Sequence, residues 1–193
     1  MLSDIVLKNR SYRRFDESVE ISDKLLRECV DLARLSASGA NAQPLKYVLS
    51  NDRKTNAAIF STLSWAGYLP DWPGPAEGER PAGYVVILLD TNIHKDPGCD
   101  HGIVAQSITL GAVEKGLGAC MLGSIRKQDL SEALQLPSHL EILLVIALGK
   151  PVETVEVEAV GSDGNIKYWR DENGTHHVPK RALDDVIFEL DED

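Results

Sequence analysis

At 193 residues, 43% hydrophobic and 26% charged, the chain has the length and composition of one globular domain with a sizeable core. A formal charge of −10 argues against a general nucleic-acid binder, which needs a basic surface, but leaves room for a small anion held at a local basic site. Three widely spaced cysteines, Cys29, Cys99 and Cys120, supply neither a disulfide framework nor a Cys-x-x-Cys ligand pair.

The N-terminus lacks a basic segment followed by an apolar run, so no signal peptide is expected. The longest apolar runs are too short to span a bilayer, and a cytoplasmic protein is expected. In chain order, residues 2–9 predict a short helix capped by Ser3 or Asp4. Residues 22–36 predict an amphipathic helix, because Leu25, Leu26, Cys29, Val30 and Ala33 recur at helical spacing, and Cys29 reads as core. A strand is expected over 45–51 and a helix over 53–66.

Residues 69–83 hold four prolines and three glycines, which excludes a regular element. Two readings stay open there: a mobile surface loop, and a lid or pocket wall. Trp65 and Trp72 favour the second, since a solvated loop has little use for tryptophan. A buried strand follows at 84–90. Residues 100–116 predict a helix with Asp100 as N-cap and Gly116 or Gly118 ending it. Its small residues, Gly102, Ala105, Ser107, Gly111 and Ala112, permit close backbone approach. Further elements are a short helix over 127–136 stopped by Pro137, a strand over 141–149 covered on both faces, and a C-terminal helix over 182–190. The mixture indicates a single α+β or α/β layered domain spanning 1–193, which includes a C-terminal segment at 179–193.

Lys8, Arg10, Arg13 and Arg14 crowd into seven positions of an acidic chain. Arginine forms forked, charge-assisted hydrogen bonds to phosphate. The alternative is a solvated basic stretch. The compact spacing of Arg10, Ser11 and Arg13, with a second basic pair Lys180-Arg181 after Pro179, favours two clusters meeting on one phosphate. Lys8 is expected to be exposed, and Arg14 to pair with an acid such as Asp16.

Residues 36–44, SASGANAQP, offer Asn41 and Gln43 at low bulk and suit a flat polar ring edge; taken alone they read as an ordinary helix-to-strand loop. In 116–125, Gly116, Gly118 and Gly123 fit neither the dinucleotide nor the Walker pattern, and they follow a helix. They read as a helix end followed by an extended segment whose backbone approaches a ligand closely. His94, Asp96, Cys99, Asp100 and His101 match no standard zinc spacing. Glu77, Glu79 and Arg80 read as solvated charges, and no catalytic triad or acid–base pair stands out.

Four of these stretches, in this order, resemble the motifs of the FMN-dependent nitroreductase family, in particular its compact single-domain members. NRSYRRF is similar to the family's N-terminal phosphate motif, ASGANAQP to its Asn-x-Gln-Pro loop, GLGACMLGSI to the segment over the flavin ring, and VPKR to a C-terminal basic contact. The chain departs from the family pattern where Asn9 precedes Arg10, where Ala37 replaces a usual proline, and where Gly123 stands in place of the glutamate of some relatives.

The resemblance implies a nitroreductase-like sandwich, a central mostly antiparallel sheet flanked by helices, in an intertwined homodimer with FMN shared between chains. It implies that Arg10, Ser11 and Arg13 hold the phosphate, joined by Lys180 and Arg181. Ala37, Ser38, Gly39 and Asn41 of the partner chain would line the ring, with Gln43 near them. Met121, Leu122, Gly123 and Ser124 would pack over it, the Gly123 amide reaching flavin N5. It further implies ping-pong transfer from NAD(P)H to a nitroaromatic, quinone or similar acceptor, with no catalytic side chain and no metal. The lid near 69–83 would select the acceptor through Trp72. Two rival readings remain: a flavin-binding or flavin-transforming protein that does not turn over NAD(P)H, and a metal or structural domain built on 94–101.

Overall fold

The computed structural model describes residues 1–190, and the chain divides into two compact units. The first comprises Met1–Trp65 and Pro73–Val152, the second Ala66–Trp72 and the chain from Glu153 onward. The class is α+β.

The first unit is built on β3 (Gly83–Asp90), buried at every position. Its run of Tyr, Val, Ile and Leu has no polar face to turn to water, which is the mark of a strand covered on both sides. It pairs antiparallel with β2 (Leu45–Ser50) and with β5 (Leu140–Pro151). The two-residue β1 (Phe15–Asp16) and β4 (Gly118–Leu122) also pair antiparallel with β5, giving the order β1-β5-β3-β2 with β4 on β5.

One face of this sheet carries α2 (Asp23–Arg34) and α4 (Asp100–Glu114). Leu26, Cys29 and Ala33 of α2 and Val104, Ala105, Ile108 and Ala112 of α4 form one core with Val85, Ile87, Ile146 and Leu148. α2 starts where the Ser22 hydroxyl accepts the Leu25 amide at 3.2 Å. Cys29 is core as expected, and burial pushes its thiol up to about 11. The small residues of α4 do what their size suggests: a Cβ at Gly111 would overlap the Leu32 side chain, so its absence lets α2 and α4 close together.

α3 (Arg53–Ser61) is capped by Asp52, whose carboxylate accepts the Thr55 amide at 2.9 Å. The helix expected to reach 66 ends at Ser61. The buried Thr62 hydroxyl donates to the Ile59 carbonyl at 2.7 Å, and Leu63 then bridges Ile125 in an extended conformation. α5 (Lys127–Ala133) is short, as its sequence suggests. α1 (Leu2–Lys8) buries none of its residues; the N-cap position is Met1, and Asp4, at the third helical position, accepts the Met1 amino group at 2.6 Å.

In the second unit, β6 (Val155–Ala159), β7 (Trp169–Arg170) and β8 (His176–Lys180) form a small sheet in the order β6-β8-β7. β6 and β8 run parallel, β7 and β8 antiparallel. The expected C-terminal helix over 182–190 is absent: the segment holds one turn, from the Val186 amide to the Leu183 carbonyl at 3.1 Å. Leu183, Val186, Ile187, Phe188 and Leu190 are all exposed, and a short helix without a surface to bury its apolar stripe does not hold. Among the described residues no helix is long and apolar enough to cross a membrane.

Candidate functional site

The site starts at the end of α1. The Asn9 side-chain amide donates to the Thr109 hydroxyl of α4 at 2.9 Å, and the chain then runs beside β4. Ser11 bridges Ala119, whose carbonyl accepts the Tyr12 amide at 3.0 Å. Two glycines make room for this approach. Gly118 and Gly149 are paired across β4 and β5. A Cβ on Gly118 would stand 2.7 Å from the Tyr12 ring, and one on Gly149 2.7 Å from the Phe15 ring. The aromatic rings thus lie over bare backbone, which seats the segment between them.

That segment carries the three expected phosphate ligands. Arg13 is 9% exposed and its Nη1 donates to the Ser11 carbonyl at 3.2 Å. Arg10 Nη2 donates to the Val6 carbonyl at 2.9 Å, while its Nε is buried without a hydrogen-bond partner. Ser11 is exposed. A buried donor with no acceptor beside a second arginine suits an incoming anion.

Arg14 points elsewhere. It pairs with Glu79 through bonds of 2.9 and 2.5 Å, not with Asp16 as expected. Asp16 instead accepts the Ser18 amide and hydroxyl. The reason is backbone alignment: the Phe15 amide donates to the Glu79 carbonyl at 3.0 Å and the Glu17 amide to that of Gly78 at 3.1 Å, so Glu79 meets Arg14. Glu79 is therefore no solvated charge, and Arg80 lies over the Phe60 ring at 4.6 Å.

The 36–44 loop is held by a residue the sequence assigned differently. Asp100 does not cap α4, where the N-cap position is Cys99. Its carboxylate accepts the Ser38 hydroxyl at 2.6 Å and the Gly39 amide at 2.9 Å. Ser38 in turn accepts the Gln43 amide at 2.9 Å. Between these anchors Gly39–Asn41 make a single 3-10 turn, and Ala40, Asn41 and Gln43 sit at positive φ of 48, 54 and 50°. Left-handed backbone costs a side chain of this kind on the order of 1 kcal/mol, so the loop needs its anchors. Ala37, Gly39, Asn41 and Gln43 are exposed and Ser38 is half-buried. Burial, aided by the Asp100 carboxylate, pushes the nearby Tyr47 phenol up to about 12.

β4 leads into the third stretch. Leu122 is buried, whereas Met121 is 37% exposed and Gly123 and Ser124 are exposed. The Ser124 carbonyl accepts the Ser64 amide at 3.0 Å, which fixes the turn. Nothing lies closer than 3.9 Å to where a Gly123 Cβ would be, so the backbone there is open.

The structure therefore joins Arg10, Ser11 and Arg13 to the strand that ends in Met121–Ser124, and ties Ser38 and Gly39 to the N-terminal end of α4. The two anchor points on α4, Thr109 and Asp100, are about 14 Å apart along the helix. Lys180 and Arg181 belong to the second unit, exposed at and beyond the end of β8. Trp72, also in the second unit, lies half-buried against the Arg170 guanidinium, 4.8 Å from its ring centroid. His94 uses Nδ1 within its own turn with Asp96, and among the described residues no three His, Cys, Asp or Glu side chains are placed to hold a metal.

Arg10 and the buried Arg13 thus lie on a segment that runs beside an open strand end, on an antiparallel sheet flanked by helices, in an α+β protein. The family model described as Nitroreductase family matches residues 6–67 and 93–150, more than half of the sequence, and the chain belongs to that family. The NADPH-flavin oxidoreductase of Vibrio harveyi is 24% identical over 172 residues, covering 80% of this chain and 68% of that protein. Among solved structures, a nitroreductase family protein from Streptococcus pneumoniae TIGR4 superposes with a TM-score of 0.72 at 14% identity, over 98% of this chain and 100% of that one. An FMN-dependent nitroreductase from Clostridium difficile R20291 gives 0.64 at 20% identity, over 83% and 92%. These structures share the fold. The matched ranges leave out Trp72, Lys180 and Arg181.

Proposed function

We propose that the chain is an FMN-dependent oxidoreductase that accepts reducing equivalents from NAD(P)H and passes them to a nitroaromatic, quinone or similar small acceptor, working as a homodimer. The observation that carries this reading is the bridge between Ser11 and Ala119, which sets the arginines and the Met121–Ser124 turn on one strand edge. The residues fit the cofactor: Arg10 Nε awaits an acceptor, and the Gly123 backbone is open to a flat ring. Bound FMN would supply the hydride and electron transfer, for which the chain offers no side chain of its own.

The protein's part is binding and orientation. Arg10, Ser11 and Arg13 neutralise and bond the phosphate, and Lys180 and Arg181 are assigned to the same phosphate by resemblance. Met121, Leu122, Gly123 and Ser124 pack against the ring. Ala37, Ser38, Gly39 and Asn41, held by Asp100, line it from the partner chain. Trp72 takes part in acceptor choice. The homodimer is supported by α1, where Leu2, Val6 and Leu7 are 68, 41 and 64% exposed with nothing over them in one chain.

The test is the absorbance spectrum of purified protein, followed by anaerobic addition of NADPH and NADH. A yellow protein bleached by either nucleotide is the expected result. A flavin that stays oxidised with both would favour a binding protein without NAD(P)H turnover, and a colourless protein that takes up no FMN would overturn the reading.

A further inference from the structure

We propose that Arg170, fixed by Glu153, is a positioning residue that sets the Trp72 indole and thereby tunes acceptor preference; this rests on the reading of Trp72 as part of the acceptor site. The geometry lies within the second unit. Arg170 Nη2 pairs with Glu153 Oε2 at 3.1 Å, with only 17% and 1% of the two side chains exposed. A carboxylate so buried holds its cation firmly, because separating them would leave a bare charge away from water. The guanidinium held in this way presents its flat face to Trp72 at 4.8 Å.

A second fastening sits beside the first. The Tyr68 amide donates to the Tyr168 hydroxyl at 3.2 Å, and the two rings pack at 4.9 Å. Tyr168, the residue before β7, and Arg170, at its end, both face the Ala66–Trp72 segment. Trp169, between them, turns the other way and stacks on His177 at 4.1 Å. Tyr68 and Trp72 are thus gripped by Tyr168, just before β7, and by Arg170 within it. The indole is set from β7, far from Trp72 in sequence and outside the region matched by the family.

Lysine at position 170 keeps a charge for Glu153 but loses the planar face, so Arg170→Lys is the informative change. With FMN-loaded enzyme and NADPH, kcat/KM is measured for 4-nitrobenzoate and for menadione in wild type, Trp72→Ala, Arg170→Lys and the double variant. Both single variants are expected to shift the ratio of the two values in the same direction, Arg170→Lys by about threefold. The shift falls on acceptor KM, FMN per chain stays at the wild-type level, and the double variant matches Trp72→Ala alone.

A wild-type ratio in Arg170→Lys alongside a shifted Trp72→Ala overturns the role of Arg170 and leaves the acceptor reading standing. Additive shifts in the double variant overturn it also, since Arg170 would then act by another route. Wild-type ratios in both single variants sink the reading of Trp72 itself. Should Arg170→Lys fail to fold, Glu153→Gln, which loosens the guanidinium, is read by the same criteria.

Discussion

Asp100 and Ser38, 62 positions apart, are joined by a 2.6 Å hydrogen bond that makes the first turn of α4 the anchor of the 37–43 loop. The same carboxylate takes the Gly39 amide, so one acidic side chain fixes the start of the turn, and Ser38 passes the hold on to the Gln43 amide. Asp100→Ala leaves these donors without their acceptor at a cost of about 1–3 kcal/mol. FMN affinity is expected to fall by roughly tenfold or more, as read by flavin fluorescence titration. Asp100→Asn, which keeps one acceptor oxygen, is expected to lie between wild type and alanine.

Arg10 and Arg13 differ in setting, and their alanine variants are expected to differ in kind. Replacing both strips FMN from the purified protein, measured as flavin absorbance per chain. Arg13 is buried and bonded to the Ser11 carbonyl, so Arg13→Ala also lowers the urea midpoint of the FMN-free protein. Arg10→Ala leaves that midpoint near wild type, because its one visible bond is to the exposed Val6 carbonyl of α1. Full FMN retention in the double variant would remove the phosphate assignment.

Gly149 is expected to be intolerant of alanine. A new Cβ would stand 2.7–2.8 Å from the ring and Cβ of fully buried Phe15, which has nowhere to withdraw. Overpacking of this kind costs about 1–3 kcal/mol, visible as a lower denaturation midpoint. Because Phe15 leads back to Arg13, weakened FMN binding is expected alongside it.

The cap of α3 gives a pH dependence of known sign. Bonds from the Thr55 amide and hydroxyl hold the Asp52 carboxyl below its ordinary 3.8. As pH falls the unfolded chain takes the proton first, so the stabilisation is complete above about pH 4 and is lost as pH drops through the folded value. Asp52→Asn caps without titrating. Its stability relative to wild type should be constant above about pH 5 and should rise below pH 4, as measured by chemical denaturation across that range.

Where local pattern and packing agree, the structure was legible in the sequence. The apolar runs of β3 and β5 and the helical stripe of α2 needed no distant information, and three of the four motif stretches lie within the ranges the family model matches, VPKR lying outside them. Asp100 reads locally as a cap because an acid at a helix start ordinarily is one, while its partners are 61 and 62 positions away. The spacing of Leu183, Val186, Ile187 and Leu190 has helical period, but period without a surface to cover forms no helix. β6 carries a local signal, since Val155-Glu156-Val157-Glu158-Ala159 alternates as a strand should, whereas in β8 Pro179 hides the pattern. The grip of Arg170 on Trp72 has no local signal, being a contact between side chains far apart in sequence.

α1 buries nothing, yet Arg10 leans on its Val6 carbonyl. On the proposed phosphate role of Arg10, the firmness of that grip would depend on whatever covers Leu2, Val6 and Leu7. If that shelter is a second copy, cofactor retention becomes a function of protein concentration: dilution should release FMN while the sheet beneath is still folded, and the colour of the solution would report on assembly.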